Sequence, residues 1–546
     1  MITSLYFLIF FSLVYLHGRG IYYIFYDVQK KVFSIPVNLF YPLISLFFIG
    51  NLSVIFNFFL PLKNIFFQFL LLIPFIFNLK SSKKLKFSLY KIIQFAILPS
   101  ILGLSSLTVG LSYDAGSYQL SNQLWIRDTN IPIGLFNLNF RYGYSSIIEY
   151  ISANFWLDNN FILLHFVNIT FITTFFILLF YFLFENQNYL YKRTALFILI
   201  FGFLDNFGLD GGRNGFLEIE AVSKQDTPFA ILFLLSNLFL IKLIIKNKAS
   251  SFELTFISLL ILFTIQMRVF GVLILILLFY VVLKLNIFSI KTFTFFIPSI
   301  FLGTVFSVKN IFISGCIFFP IEFLCFETLP WYTKGEAALE TKSLNNFHIG
   351  YNFESNIYLW FQEWLTKPIN KTVFYNFCLS LIVVVVFKKL VYKKKATVKD
   401  KNIIFLYFYL FVLFISWVLS APGIRFGLGI FLLIIFYQAI NPSKSLIRLK
   451  ILENRTVLIL GLLLTTAFIP RLDNYKYLIN DPFNEVVLEP AYPEYTVNNN
   501  YGVSPLNGEL CWLNRNCIRY GDEVKDQKIY ETNFRFFTLF TTSEYK

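Results

Sequence analysis

Apolar stretches close to twenty residues long recur along almost the whole chain, and no other feature restricts its fold so tightly. A helix needs about twenty apolar residues to cross the hydrocarbon core of a bilayer. A membrane barrel is built from short alternating segments, and these runs do not alternate. Of 546 residues, 57% are hydrophobic and 14% charged, whereas soluble domains carry roughly 25% charged residues. The expectation is an all-α membrane protein, a polytopic helical bundle of about fourteen transmembrane helices. These fall near 2–17, 37–60, 64–79, 92–111, 160–184, 194–205, 227–245, 252–267, 269–286, 292–309, 373–387, 403–420, 428–440 and 455–470. The first run lacks a positive leader and a small-residue cleavage site, so it reads as a retained helix.

The formal net charge is +15, which in a soluble chain would suggest nucleic acid as a partner. Here the lysines gather in short loops: Lys80, Lys83, Lys84 and Lys86; Lys242, Lys246 and Lys248; Lys388, Lys389, Lys393, Lys394 and Lys395. That is the positive-inside bias of membrane proteins. The charge therefore reports topology, not a partner; the lipid bilayer is the partner implied by the apolar runs. Placing the basic loops in the cytoplasm puts 112–159, 206–226, 310–372 and the tail on the far side. The chain divides into a transmembrane domain, 1–470, and a C-terminal extracytoplasmic cap, 471–546.

Two cysteine pairs, Cys316 with Cys325 and Cys511 with Cys517, fall on that same far side, where disulfides persist. Their spacing permits local bridges, and neither pair has the spacing or nearby histidine of a zinc site. Cys378 lies within an apolar run and reads as a packing residue. With three histidines in the chain, neither a histidine metal site nor a catalytic triad is expected, and no phosphate-loop or dinucleotide fingerprint occurs.

The polar residues with most to say follow the run ending near 111: Tyr113, Asp114, Tyr118, Trp125, Asn137 and Arg141. An acid where a helix leaves the membrane must be paired, hydrated or functional. Asp114 admits three readings: a general base for a hydroxyl, a ligand for a divalent cation such as magnesium or manganese, or a turn-forming aspartate. A second acidic cluster comprises Asp205, Asp210, Glu218, Glu220 and Asp226; Asp226 before Thr227-Pro228 also reads as a helix start. Arg268, Lys309 and Arg425 stand at membrane exits, where cations either snorkel, pair with acids or hold a phosphate. Pro298 and Pro422, within or beside apolar runs, mark places for broken helices lining a cavity.

The segment Tyr113-Asp114-Ala115-Gly116-Ser117-Tyr118, with Trp125-Ile126, Pro132-Ile133-Gly134-Leu135, Asn137-Leu138 and Arg141-Tyr142-Gly143, resembles the first large outer loop of a bacterial membrane family. That family is of the GT-C glycosyltransferase type and is associated with surface polysaccharide synthesis. The resemblance extends through Ile313-Ser314-Gly315-Cys316, Phe319-Pro320, Cys325, Trp331, Ala421-Pro422, Arg425-Phe426-Gly427 and Cys511-Trp512 with Cys517, and leaves out the first three runs. It implies a multi-pass protein of the bacterial plasma membrane whose site faces the exterior. It implies transfer of a sugar from a polyprenyl-phosphate donor to a glycan, lipid or protein acceptor. Asp114 matches the acidic residue that in such loops is the catalytic base or part of the acceptor site. A second acid, where the family has one, would be Glu149 or Asp158. Arg268, Lys309 and Arg425 are assigned to the donor phosphate on charge and depth. Two other functions stand beside it: a flippase of lipid-linked glycans, which would show repeated halves and charges along a central pathway, neither visible here, and a polysaccharide polymerase or ligase, which shares the outer-face site.

Overall fold

The computed structural model of the chain describes residues 2–26, 30–78, 89–104, 106, 109–157, 160–207, 221–222, 224–287, 293–349, 356–391, 401–440, 486–497, 503–506, 510–517, 530–534 and 537–541. The fold is mainly helical, with a few short strands, of which the first two, β1 (Lys31–Val32) and β2 (Ile35–Pro36), pair antiparallel. In chain order the helices are α1 (Ile2–Phe25), α2 (Tyr41–Asn57), α3 (Ile65–Phe77), α4 (Leu89–Gly103), α5 (Leu120–Asp128), α6 (Ile147–Ser152), α7 (Ile162–Phe184), α8 (Tyr189–Phe207) and α9 (Asp226–Lys246). There follow α10 (Ser251–Met267), α11 (Ile274–Lys284), α12 (Ile297–Ser314), α13 (Glu336–Ile349), α14 (Ile357–Thr366), α15 (Pro368–Val391), α16 (Lys401–Ser420) and α17 (Ile424–Ala439).

Among the described residues seven helices are long and apolar enough to cross a membrane: Ile2–Phe25, Val37–Asn57, Ile162–Phe184, Asp226–Lys246, Thr294–Ser314, Pro368–Val386 and Asn402–Ser420. Five shorter apolar helices, Ile65–Phe77, Leu89–Gly103, Ser251–Met267, Val269–Lys284 and Ile424–Ala439, match further expected runs. The run expected at 455–470, and the acidic positions Asp210, Glu218 and Glu220, lie outside the described residues, as do Lys80, Lys83, Lys84 and Lys86.

Burial separates centre from rim. Along α7 and α9 nearly every side chain is buried, from Leu164 to Phe182 and from Asp226 to Ile244, so both helices are surrounded by others. By contrast α12, α15 and α16 expose Ile300, Phe301, Ile382, Val386, Phe408 and Phe411 on their outer faces. A surface this apolar suits lipid rather than water. The basic end of the bundle is tied by Lys246 to Glu253 at 2.9 Å and by Lys284 Nζ to the Ile244 carbonyl at 3.1 Å. Ser250 and Glu253 there form a reciprocal cap on α10, satisfying amide groups that the helix start leaves unpaired.

The opposite end carries irregular structure. Instead of continuing to 111, the helical run that opens at Leu89 ends at Gly103, and a short strand β3 (Gly110–Leu111) follows. It pairs in parallel with β4 (Ala221–Val222), so the two polar loops on this face enter side by side. The cap contributes β5 (Tyr495–Val497) paired with β6 (Val503–Pro505), and β7 (Tyr530–Phe534) paired with β8 (Phe537–Thr541). Disulfides join Cys316 to Cys325 and Cys511 to Cys517, both at this end.

α1 packs into the core through glycine. A Cβ on Gly20 would stand 1.8 Å from the Pro74 carbonyl oxygen, and one on Gly18 1.8 Å from that of Tyr41. Small residues of this kind let membrane helices approach backbone to backbone. Gly20→Ala is therefore expected to cost ~3 kcal/mol or more through overpacking, read as a fall in the thermal stability of the detergent-purified protein. Gly303→Ala, whose Cβ would meet only a leucine methyl at 3.3 Å, is expected to stay within about 1 kcal/mol of wild type.

Candidate functional site

Between β3 and α5 the chain makes a wide helical turn, Ala115–Gln119, and Asp114 stands at its start. Ser112 builds the entry: its hydroxyl donates to the Val222 carbonyl at 3.1 Å and accepts the Ala115 amide at 3.1 Å. The Asp114 carboxylate remains about a quarter exposed, 3.8 Å from Nη1 of Arg425, whose side chain is 38% exposed. A ligand arriving from outside can reach both. Tyr113, beside them, is half exposed.

Arg425 is the second residue of α17, and Phe426 follows it. The Arg425 guanidinium lies 4.9 Å from the centroid of the Phe426 ring, and that of Arg268 lies 4.2 Å from the same centroid. Two cations thus flank one aromatic ring, an arrangement the ring's negative face tolerates. Arg268 occupies the extended break between α10 and α11, with φ −157° and ψ 136°. Its Nη2 is 2.8 Å from Oδ1 of Asp226, the first residue of α9, while its Nη1 has no hydrogen-bond partner among the described residues. Asp226 is both the helix start foreseen and an acid of the site.

Arg141 completes the rim. Its Nη1 donates to the Ser117 hydroxyl at 2.5 Å, and its guanidinium lies 5.8 Å from the Tyr118 ring centroid. The Tyr118 hydroxyl is held well above the usual phenol range, first by burial and then by the negative charges of Asp114 and Glu149; Arg141 and Arg425 oppose this. Tyr118 therefore stays a neutral hydroxyl, able to donate.

Lys309 and Glu149 form a separate, inner group. Lys309 is fully buried on α12; its Nζ donates to the Ser145 carbonyl at 2.7 Å and lies 4.2 Å from the Phe306 ring centroid. Glu149, on α6 and equally enclosed, accepts from the Asn122 amide. Burial pushes the Glu149 carboxyl up to about 7, against the pull of Lys309 and of the hydrogen bonds from Asn122 and Ser145. Lys309 thus faces a buried acid within the protein. Of the two positions expected for a second acid, Glu149 is placed here and Asp158 lies outside the described residues.

Trp125 and Asn137 bind backbone. Trp125 Nε1 donates to the Arg515 carbonyl at 2.9 Å. The Asn137 amide donates to the carbonyls of Trp331 and Phe540, at 3.0 and 2.9 Å, and its oxygen accepts the Thr333 hydroxyl at 2.7 Å. The cap closes over the site turn in the same way: the Trp512 amide donates to the Gly116 carbonyl at 2.7 Å, and a Cβ on Gly116 would lie 3.1 Å from the Trp512 ring. Asp205 is buried on α8, 3.5 Å from the Asn376 amide and apart from the groups around Asp114. Tyr118, Arg141, Arg268 and Asp226 are thus gathered around Asp114 and Arg425, whereas Lys309, Asn137, Trp125 and Asp205 are engaged elsewhere.

A divalent cation finds a poor donor set. Beside Asp114 stands the cation Arg425, and among the described residues no three His, Cys, Asp or Glu side chains are grouped to hold a metal. Sequence reasoning did not single out Phe426, which carries no polar atom, or Ser117 and Asn122, ordinary polar residues whose partners are 24 and 27 positions away.

A family model described as a domain of unknown function, DUF8201, matches residues 1–432, and the chain belongs to that family. No curated protein and no solved structure matches it.

Two predictions follow from this geometry. Asn137→Ala removes three bonds joining separate outer segments and is expected to cost about 1–3 kcal/mol, measured by thermal unfolding. The Glu149 carboxyl titrates near 4.5 when free and near 7 in the fold, so the native chain keeps a proton that the unfolded chain loses. Its contribution to stability is greatest at low pH and declines as pH rises through that window. Between pH 5 and 8 wild type should lose stability relative to Glu149→Gln, by up to ~3 kcal/mol. Parallel stability curves for the two proteins would contradict it.

Proposed function

We propose that this DUF8201 member is a multi-pass membrane glycosyltransferase of the GT-C type. It transfers a sugar from a polyprenyl-phosphate donor to a glycan, lipid or protein acceptor. Its site faces the exterior of a bacterial plasma membrane, on the side that bears both disulfides, with the lysine-rich loops in the cytoplasm. The expected set of about fourteen spans belongs to this reading.

One observation carries the proposal: a reachable carboxylate, Asp114, beside Arg425, with Arg268 packed against the same Phe426 ring as Arg425. A lipid-linked phosphate needs cationic partners and an arginine fork suits its oxygens. Arg425 and the Nη1 of Arg268 supply donors at the bundle end where lipid tails could lie along the exposed apolar faces. Asp114 would take the proton of the acceptor hydroxyl as that oxygen attacks the anomeric carbon. The bond from that carbon to the phosphate oxygen breaks with inversion. The phosphate leaves with the bonding electrons, its added charge met by the two arginines. Tyr118 and Arg141 border the same turn and would orient the acceptor.

In a reconstituted assay with a polyprenyl-phosphate-linked sugar, Asp114→Asn is expected to lower turnover by about 10²–10⁴-fold while donor binding persists. Arg425→Ala should weaken donor binding instead. Full turnover by Asp114→Asn would sink the proposal.

A further inference from the structure

Arg425 follows a turn that its own backbone holds only in part: the Gly423 carbonyl accepts the Phe426 and Gly427 amides at 3.0 and 3.3 Å, and side chains hold the rest. The three residues Ala421-Pro422-Gly423 join α16 to α17, and the residue capping α17, Gly423, offers no side chain to its free amides. Other helices supply what the turn lacks. Trp364 on α14 donates its indole Nε1 to the Pro422 carbonyl at 2.6 Å. Trp417 on α16 donates its own to the Gly423 carbonyl at 3.1 Å. Asn370 on α15 accepts the Ile424 amide at 3.4 Å and donates to the Trp364 carbonyl at 3.1 Å. The two indole rings meet edge to face at 6.2 Å. Gly427 lets α17 lie against Trp417, since a Cβ there would stand 2.7 Å from the indole.

We infer that Trp364, Trp417 and Asn370 are positioning residues that aim Arg425 at Asp114. A buried indole N–H requires an acceptor, and here two of them hold successive carbonyls of the same turn. Peptide planes fixed on both sides leave the first turn of α17 a single orientation. Arg425 on that turn is directed at the carboxylate, with the Phe426 ring next to it in contact with both guanidiniums. α14, an outer helix remote in sequence from the acid-bearing loop, thereby becomes part of the site's framework.

The assignment of Arg425 to a lipid phosphate rests on the glycosyl-transfer reading, whereas its positioning does not, and two readouts separate them. Trp364→Phe and Trp417→Phe each keep an aromatic ring but lose the N–H together with part of the buried indole's volume. In the purified full chain, reaction of individual arginines with phenylglyoxal is followed by mass spectrometry. Both variants are expected to label Arg425 about fivefold faster than wild type, as for the loss of one hydrogen bond, with Arg141 unchanged. Unchanged labelling of Arg425 in either variant, or equal acceleration at Arg141, would overturn the inference. Polyprenyl phosphate binding is measured in parallel, in wild type and in Arg425→Ala. Equal affinity there would count against the phosphate reading and leave the labelling result standing.

Discussion

Irregular backbone laid on an apolar bundle must have its carbonyls satisfied from within the protein, and that constraint shapes the outer end of this fold. Short strand pairs and backbone amides provide some of the donors there, and side chains provide many of the others. The Asn57 amide, at the end of α2, holds the carbonyls of Ile126 and Thr129 at 3.0 and 2.8 Å. Asn137 ties two carbonyls from distant segments, and the indoles of Trp125, Trp331, Trp364 and Trp417 each take one. Each such bond is worth only about 1 kcal/mol net, but a carbonyl left unpaired would cost more. The acid-bearing turn, the arginine turn and the cap are held in register by these donors.

On this framework sit charges whose own pairing is modest in energy. Asp114 and Arg425 are both partly exposed, and exposed pairs contribute about 0–1 kcal/mol. Such a pair does little to hold the fold and much to define what can bind. The inner pair differs. Glu149 and Lys309 are enclosed, and removing one partner would leave a buried charge uncompensated. In the proposed reading the outer group serves a ligand, while the inner group lies buried within the protein.

Much of this was legible beforehand. Length and apolarity identified the helical, membrane-like character and, among the described residues, seven helices long enough to span, half of the number expected. The cysteine pairs were legible because spacing and side agreed. The end of α4 was not, since apolar composition alone does not tell a helix from the short strand Gly110–Leu111. Among polar residues, Asp114, Arg268 and Arg425 stood out by being charged at membrane exits, and the structure brings them together. Asn137 and Trp125 looked equally suited to a substrate, but a sequence does not reveal which backbone carbonyls will need a donor. Lys309 looked like a phosphate ligand because Glu149, 160 positions earlier, was not visible as its neighbour.

The most direct measurement of the central claim is an experimental map of the protein bound to a non-transferable polyprenyl-phosphate-linked sugar. The account places the phosphate within hydrogen-bond reach of Arg425 and Arg268, and the anomeric carbon on the side of Asp114. A phosphate held at the lysine-rich end, or a sugar bound away from Asp114, would contradict it.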